Sequence, residues 1–133
     1  MITVSLETAK KLKAAGFPQK TALAYVKGYS NFYDKEYIRE IGMDIDADAP
    51  TTDEMLADLP KTISGYANSD NKNVSHIVAV FMGEDTYFAG YTFYGIELIV
   101  FKNKLLPEAL ASLWLWAKAN GYIKAEKAKE GQW

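Results

Sequence analysis

Four runs of strand-forming residues, 62–67, 76–82, 86–94 and 96–102, follow one another, separated by SDNKN, GED and a point near Gly95. A parallel return needs a crossover of about a dozen residues, so connections this short predict an antiparallel meander. In the run 76–82, Ile77, Ala79 and Phe81 alternate with Val78, Val80 and Met82. Both faces are apolar, which predicts a central strand buried on both sides.

The remaining segments read mainly as helices. Ser5 is a suitable N-cap, Leu6, Ala9 and Leu12 repeat at helical spacing, and Gly16 followed by Phe17 closes a helix over 6–15. Thr51 with Glu54 three residues on forms a capping-box pattern ahead of a short helix over 52–59, which Pro60 stops. Pro107 opens a last helix that ends at Asn120, with Gly121 and Tyr122 as its cap. At 100° per residue, Ala109, Leu110, Leu113, Trp114 and Ala117 share one face of it. Leu115 falls almost opposite, and Trp116 at the margin.

Two stretches leave alternatives open. Residues 22–41 alternate aromatic or β-branched with polar residues around Gly28, Tyr29, Ser30 and Asn31, the pattern of a β-hairpin. The second arm, 32–41, also reads as a short helix, because DKEYIRE has helical charge spacing. The tail 124–133 is charged and alanine-rich and reads as a fraying extension. The expected fold is therefore a single α+β domain over 1–123. It has an antiparallel meander of four to six strands, extended by the hairpin in the larger case, with two main helices and one short one. A chain of 133 residues buries about 68% of its extended surface, enough for a core without staples.

The segments SLETAKKLKAAGFPQ, APTTDEMLADLPKTI and LPEALASLWLWAKANGYI together resemble small uncharacterised proteins encoded by phages and prophages of gut bacteria. The resemblance covers most of the chain and implies a sandwich-like fold of helices and strands and a mobile-element origin. Its motifs are helix caps and core faces, so it carries over no functional residue.

Composition excludes several chemistries. With no cysteine there is no disulfide framework, thiolate zinc site or cysteine nucleophile, and with one histidine no site that needs two imidazoles. Glycines form neither GxGxxG nor GxxxxGK, so no phosphate cradle of known type is present. The N-terminus lacks a basic-then-apolar leader pattern and no apolar run spans a bilayer, from which a cytoplasmic protein without a membrane segment is expected.

Charge is polarised: residues 1–39 hold seven basic and three acidic side chains, residues 40–60 hold seven acidic and none basic. Within the acidic stretch, Asp44, Asp46 and Asp48 have the spacing that opens a calcium loop. Ala49 then stands where the sharp turn needs glycine, Pro50 follows, and Met55 replaces the bidentate glutamate, so a solvated acidic loop with no metal is expected.

His76 could serve as a general base, but Glu84 and Asp85 lie beyond the far end of its strand, roughly 25 Å away. Glu97 sits in an otherwise apolar strand, where burial would raise its pKa, although the alternation turns it away from Ile96 and Leu98. Lys10, Lys11, Lys13, Lys20 and Lys27 beside Tyr25, Tyr29, Phe32 and Tyr33 could meet nucleic acid. A pI near 5.4 and a single arginine argue against that.

Nine tyrosines, six phenylalanines and three tryptophans exceed what one sheet face needs, which points to an aromatic interface or to a sheet covered on both faces. The leading expectation is a non-enzymatic protein-interaction module of mobile-element origin, without cofactor, that binds a protein partner or itself as a homodimer. Trp116, Leu115 and Tyr91 would form its surface, and Asp44, Asp46 and Asp48 its acidic rim. The alternative is a small-ligand-binding or acid/base catalytic domain using His76 or Glu97.

Overall fold

The computed structural model describes residues 3–67, 73–93 and 96–123, with the side chains of 64–67, 73–74 and 96–97 outside the description. In chain order the elements are α1 (Leu6–Ala14), β1 (Leu23–Val26), β2 (Phe32–Asp34), α2 (Lys35–Ile41), β3 (Ile45–Asp48), α3 (Thr52–Asp58), β4 (Thr62–Ala67), β5 (Asn73–Met82), β6 (Tyr87–Phe93), β7 (Ile96–Asn103) and α4 (Leu106–Ala119). This is an α+β fold. The strands form two antiparallel sheets, β2-β1-β3 and β4-β5-β6-β7.

The caps read from sequence form as expected. Ser5 Oγ accepts from the Thr8 amide at 3.2 Å, and the Phe17 amide returns to the Leu12 carbonyl at 2.9 Å after the chain turns at Gly16. At α3 the capping box is complete, with the Thr51 amide donating to Glu54 Oε1 and the Glu54 amide to Thr51 Oγ1. Glu108, in the first turn of α4, accepts from the Ser5 amide at 2.8 Å and from Thr8 Oγ1 at 2.6 Å, tying the starts of α1 and α4 together.

One core joins the two sheets. α1 packs on β3, α4 on β6 and β7, and α1 and α3 both pack on α4. Leu12, Phe17, Tyr25, Met55, Tyr91, Leu113 and Trp114 meet there with almost no exposure. A smaller cluster of Ala24, Val26 and Ile38 forms where α2 covers the other face of β1. The described residues thus cover the three-stranded sheet on both sides and the four-stranded sheet on one.

Four expectations change. The arm 32–41 is strand and then helix: after three paired residues Asp34 caps α2 by accepting from the Glu36 amide at 2.8 Å, and Gly42, at φ 73°, ends it in the left-handed region where glycine is unstrained. The hairpin does not extend the meander but builds a separate sheet with β3, giving seven strands and four helices among the described residues. The acidic stretch is not a loop, since Ile45–Asp48 pairs with β1. Aspartates are poor strand formers, which hid this edge strand from a propensity reading. Finally, β5 lies between β4 and β6 as expected but is not buried on both faces: Ile77 is 55% exposed and Phe81 42%. Residues 124–133, expected as a tail, lie outside the description.

Candidate functional site

The register of the four-stranded sheet sets its two faces. Tyr91 and Ala89 of β6, Ile99 and Phe101 of β7 and Val78 of β5 point inward to the core and α4. On the outward side Ala79 stands opposite Gly90 and Phe81 opposite Phe88, and β7 continues these rows with Val100 beside Gly90 and Lys102 beside Phe88. Ile77, Ala79, Phe81, Phe88 and Val100 belong to neither hydrophobic cluster. Among the described residues this face is open.

Its relief follows from residue size. Gly90 is obligatory, because a Cβ there would stand 2.1 Å from the Ile99 carbonyl oxygen and 2.9 Å from Val100 Cγ2. Ala79 and Gly90 make low ground, and Ile77 and Phe81 stand above it on either side along β5. One end of the face is charged. Exposed Glu84 and Asp85 lie in the β5–β6 turn, and exposed Lys102 and Lys104 flank the end of β7 beside it, since Tyr87 pairs with both Met82 and Asn103. On the opposite face of β5, which also carries Val78, the residues Val80 and Met82 are exposed by 38% and 74%, where β5 runs past the strands that α4 covers.

The residues expected at an interface lie elsewhere. Tyr91 is fully buried, and its hydroxyl donates to the Pro60 carbonyl at 2.6 Å. Burial pushes its pKa up to about 12. Trp116 is half-buried, its ring 6.3 Å from that of Tyr91 and stacked on Tyr122 at 5.5 Å, and half-buried Leu115 packs against the core. Helical periodicity gave α4 one buried stripe. Packed among β6, β7, α1 and α3, it buries Ala111 as well and has little free circumference.

The acidic rim is also taken apart. Asp48 is 2% exposed; its Oδ2 accepts from Lys35 Nζ at 2.6 Å and from the Thr21 amide at 3.1 Å. Asp46 Oδ2 lies 3.4 Å from Lys10 Nζ, and its carbonyl accepts from Lys13 Nζ at 2.8 Å. Asp44 alone of the three is exposed. The charge asymmetry of the sequence is therefore partly spent within the molecule, lysines of α1 and the first residue of α2 against acidic β3. Among the described residues no three acidic or imidazole side chains gather as a metal site.

Two shallow clefts lie outside the open face. One of about 250 Å³ is lined by Phe17, Pro18, Lys20, Thr21, Glu54, Ala57 and Asp58. Its carboxylates already serve the fold: Glu54 accepts from the Ala22 and Thr51 amides, and Asp58 from Trp114 Nε1 at 2.7 Å. The other, about 290 Å³, is lined by Lys35, Ile38, Arg39, Met43, Asp44 and Ile45. Neither is lined by His76, which is 7% exposed at the register position opposite Ile63, with its ring 6.0 Å from Phe93. Glu97 pairs with Thr92 in the ladder, and its side chain lies outside the description.

The apolar outward residues of β5 are visible in the sequence, where apolar residues on both sides of a strand predict burial on both. The missing signal was which side of the sheet each helix takes. Among the described residues no helix is long and apolar enough to cross a membrane. No known protein family matches the chain, and comparison with curated proteins and with solved structures gave no match.

Proposed function

We propose that the chain is a non-enzymatic protein-interaction module that binds through the outward face of its four-stranded sheet. The observation that carries this reading is the exposure of Ile77 and Phe81 on a face where the described residues offer no cover. Contiguous apolar surface rimmed by charge marks contact sites, because it is costly in water and gains most from being covered. Nucleic acid suits this surface poorly, since the face is mainly apolar and the basic residues Lys10, Lys13 and Lys35 are engaged with Asp46 and Asp48. An origin in a phage or other mobile element belongs to the proposal and rests on the resemblance of three sequence segments. A cytoplasmic site of action is likewise carried forward from the sequence. Acid/base or small-ligand chemistry at His76 or Glu97 is less favoured, because neither described cleft is lined by either residue.

The test is site-specific photo-crosslinking in cells that make the chain, with p-benzoylphenylalanine at position 81 or, as a control, at exposed position 11. A discrete protein adduct at 81 and not at 11 is expected. Equal adduct yields at the two positions would overturn the reading.

A further inference from the structure

We infer that the occupant of the open face is a second copy of this chain, which forms a two-fold dimer by packing one four-stranded sheet on another. The inference rests on the interaction reading above and names its partner.

The first argument is charge. An isologous contact sets the same patch against itself, so a self-binding patch must hold both members of every complementary pair. This one does: Glu84 and Asp85 at the β5–β6 turn match in number Lys102 and Lys104 at the end of β7. A two-fold axis lying along β6, between the facing sheets, keeps the turn ends of the two copies together and exchanges left for right. β5 of each copy then lies over β7 of the other, and the acids of each turn meet the lysines of the facing copy. A partner of one charge sign would instead be repelled by half of these groups.

The second argument is shape. The same axis runs over Gly90, where the face is lowest, and sets each cross-strand row against itself, so that Phe88 of one copy meets Phe88 of the other and Phe81 lies over the aliphatic stem of Lys102. Ala79 of one copy comes to lie over Val100 of the other, at the roughly 10 Å separation of stacked sheets. Burying Ile77, Phe81, Phe88 and Val100 in this way leaves the four-stranded sheet covered on both faces, as the three-stranded sheet already is.

The geometry offers a direct experiment, because the chain has no cysteine. Ala79 of one copy faces Val100 of the other across roughly 10 Å, a gap too wide for a disulfide but within reach of a short bismaleimide. An equimolar mixture of the Ala79→Cys and Val100→Cys variants, treated with such a reagent, is expected to form a covalent dimer several-fold more than either variant alone. Sedimentation velocity of the unmodified chain is expected to show a concentration-dependent dimer that Phe81→Glu abolishes while circular dichroism stays unchanged.

A chain that stays monomeric up to about 1 mM overturns the inference, as does a mixture of the two cysteine variants that cross-links no better than either alone. If that monomer still yields an adduct with a different protein from position 81, the second-copy inference fails and the interaction reading stands. Should the adduct join position 81 to residues 124–133 of the same chain, the occupant is internal and the inference also fails. Adducts at neither partner nor copy end both.

Discussion

Lys35 Nζ stands 2.6 Å from Asp48 Oδ2, and this pair fastens α2 to β3, the strand that follows it. The same carboxylate oxygen holds the Thr21 amide, and the Asp48 amide donates to Gln19 Oε1 at 3.0 Å. One aspartate therefore locks the loop after α1, the start of α2 and the edge strand in one place.

Asp48→Ala is expected to destabilise the fold by about 2–3 kcal/mol. This lies below the range for breaking a fully buried pair, because the Lys35 side chain keeps 21% exposure and can turn to water. Adding Lys35→Ala should cost less than the sum of the two single changes, since the second removes a partner already orphaned. Urea denaturation of the four proteins measures both quantities.

Trp114 fills the core beside Phe17, with ring centroids 5.0 Å apart, and its Nε1 donates to Asp58 Oδ2. Trp114→Phe keeps most of the apolar volume and loses the hydrogen bond, for an expected cost of about 1–3 kcal/mol. Trp114→Ala should cost about 3–5 kcal/mol through the cavity it leaves. Thermal unfolding followed by far-ultraviolet circular dichroism separates the two; equal effects would show that the cavity adds nothing to the loss of the Asp58 bond.

Stability should fall in alkali. Burial raises the pKa of Tyr91 to about 12, and burial followed by the charge of Glu108 raises that of Tyr25, so the folded state holds these protons above pH 10 when the unfolded chain releases them. The stabilisation is complete below pH 10 and is lost as pH climbs toward 12. Tyr91→Phe gives up the bond to Pro60, about 1 kcal/mol at neutral pH, and should show a shallower decline between pH 9 and 12. Denaturation midpoints across that window test the slope.

Ile77→Thr and Phe81→Thr should each leave the folding free energy of the isolated chain within about 0.5–1 kcal/mol, because exposed side chains have little burial to lose and threonine suits a strand. Both should lower the binding of an apolar dye such as ANS. A loss of about 3 kcal/mol for either would show that its side chain is covered in the folded monomer.

Much of the fold was legible because it is written in local chemistry. Caps at Ser5, Thr51 and Gly121 depend on residues a few positions apart, and the short connections from β5 to β7 admit only antiparallel neighbours. The pairing of 62–67 with the run that follows also came through. β3 did not, because IDAD lacks strand propensity and is held by pairing with a strand about twenty residues earlier. Nor did the fates of Asp46 and Asp48, whose partners Lys10, Lys13 and Lys35 come to them only when α1 and α2 dock.

The class of the fold, the caps, the strand meander and the absence of thiol chemistry follow from residue type and near spacing alone. Tertiary structure alone decided which apolar faces meet. Tyr91 and Ile77 both belong to strands with apolar residues on their two faces, yet Tyr91 lies under α4 and Ile77 faces out. Period-2 alternation separates the two sides of a strand without saying which side the helices will take. That choice is made by the connections into α3 and α4 and by the docking of α4 on β6 and β7, a contact between segments far apart in the chain.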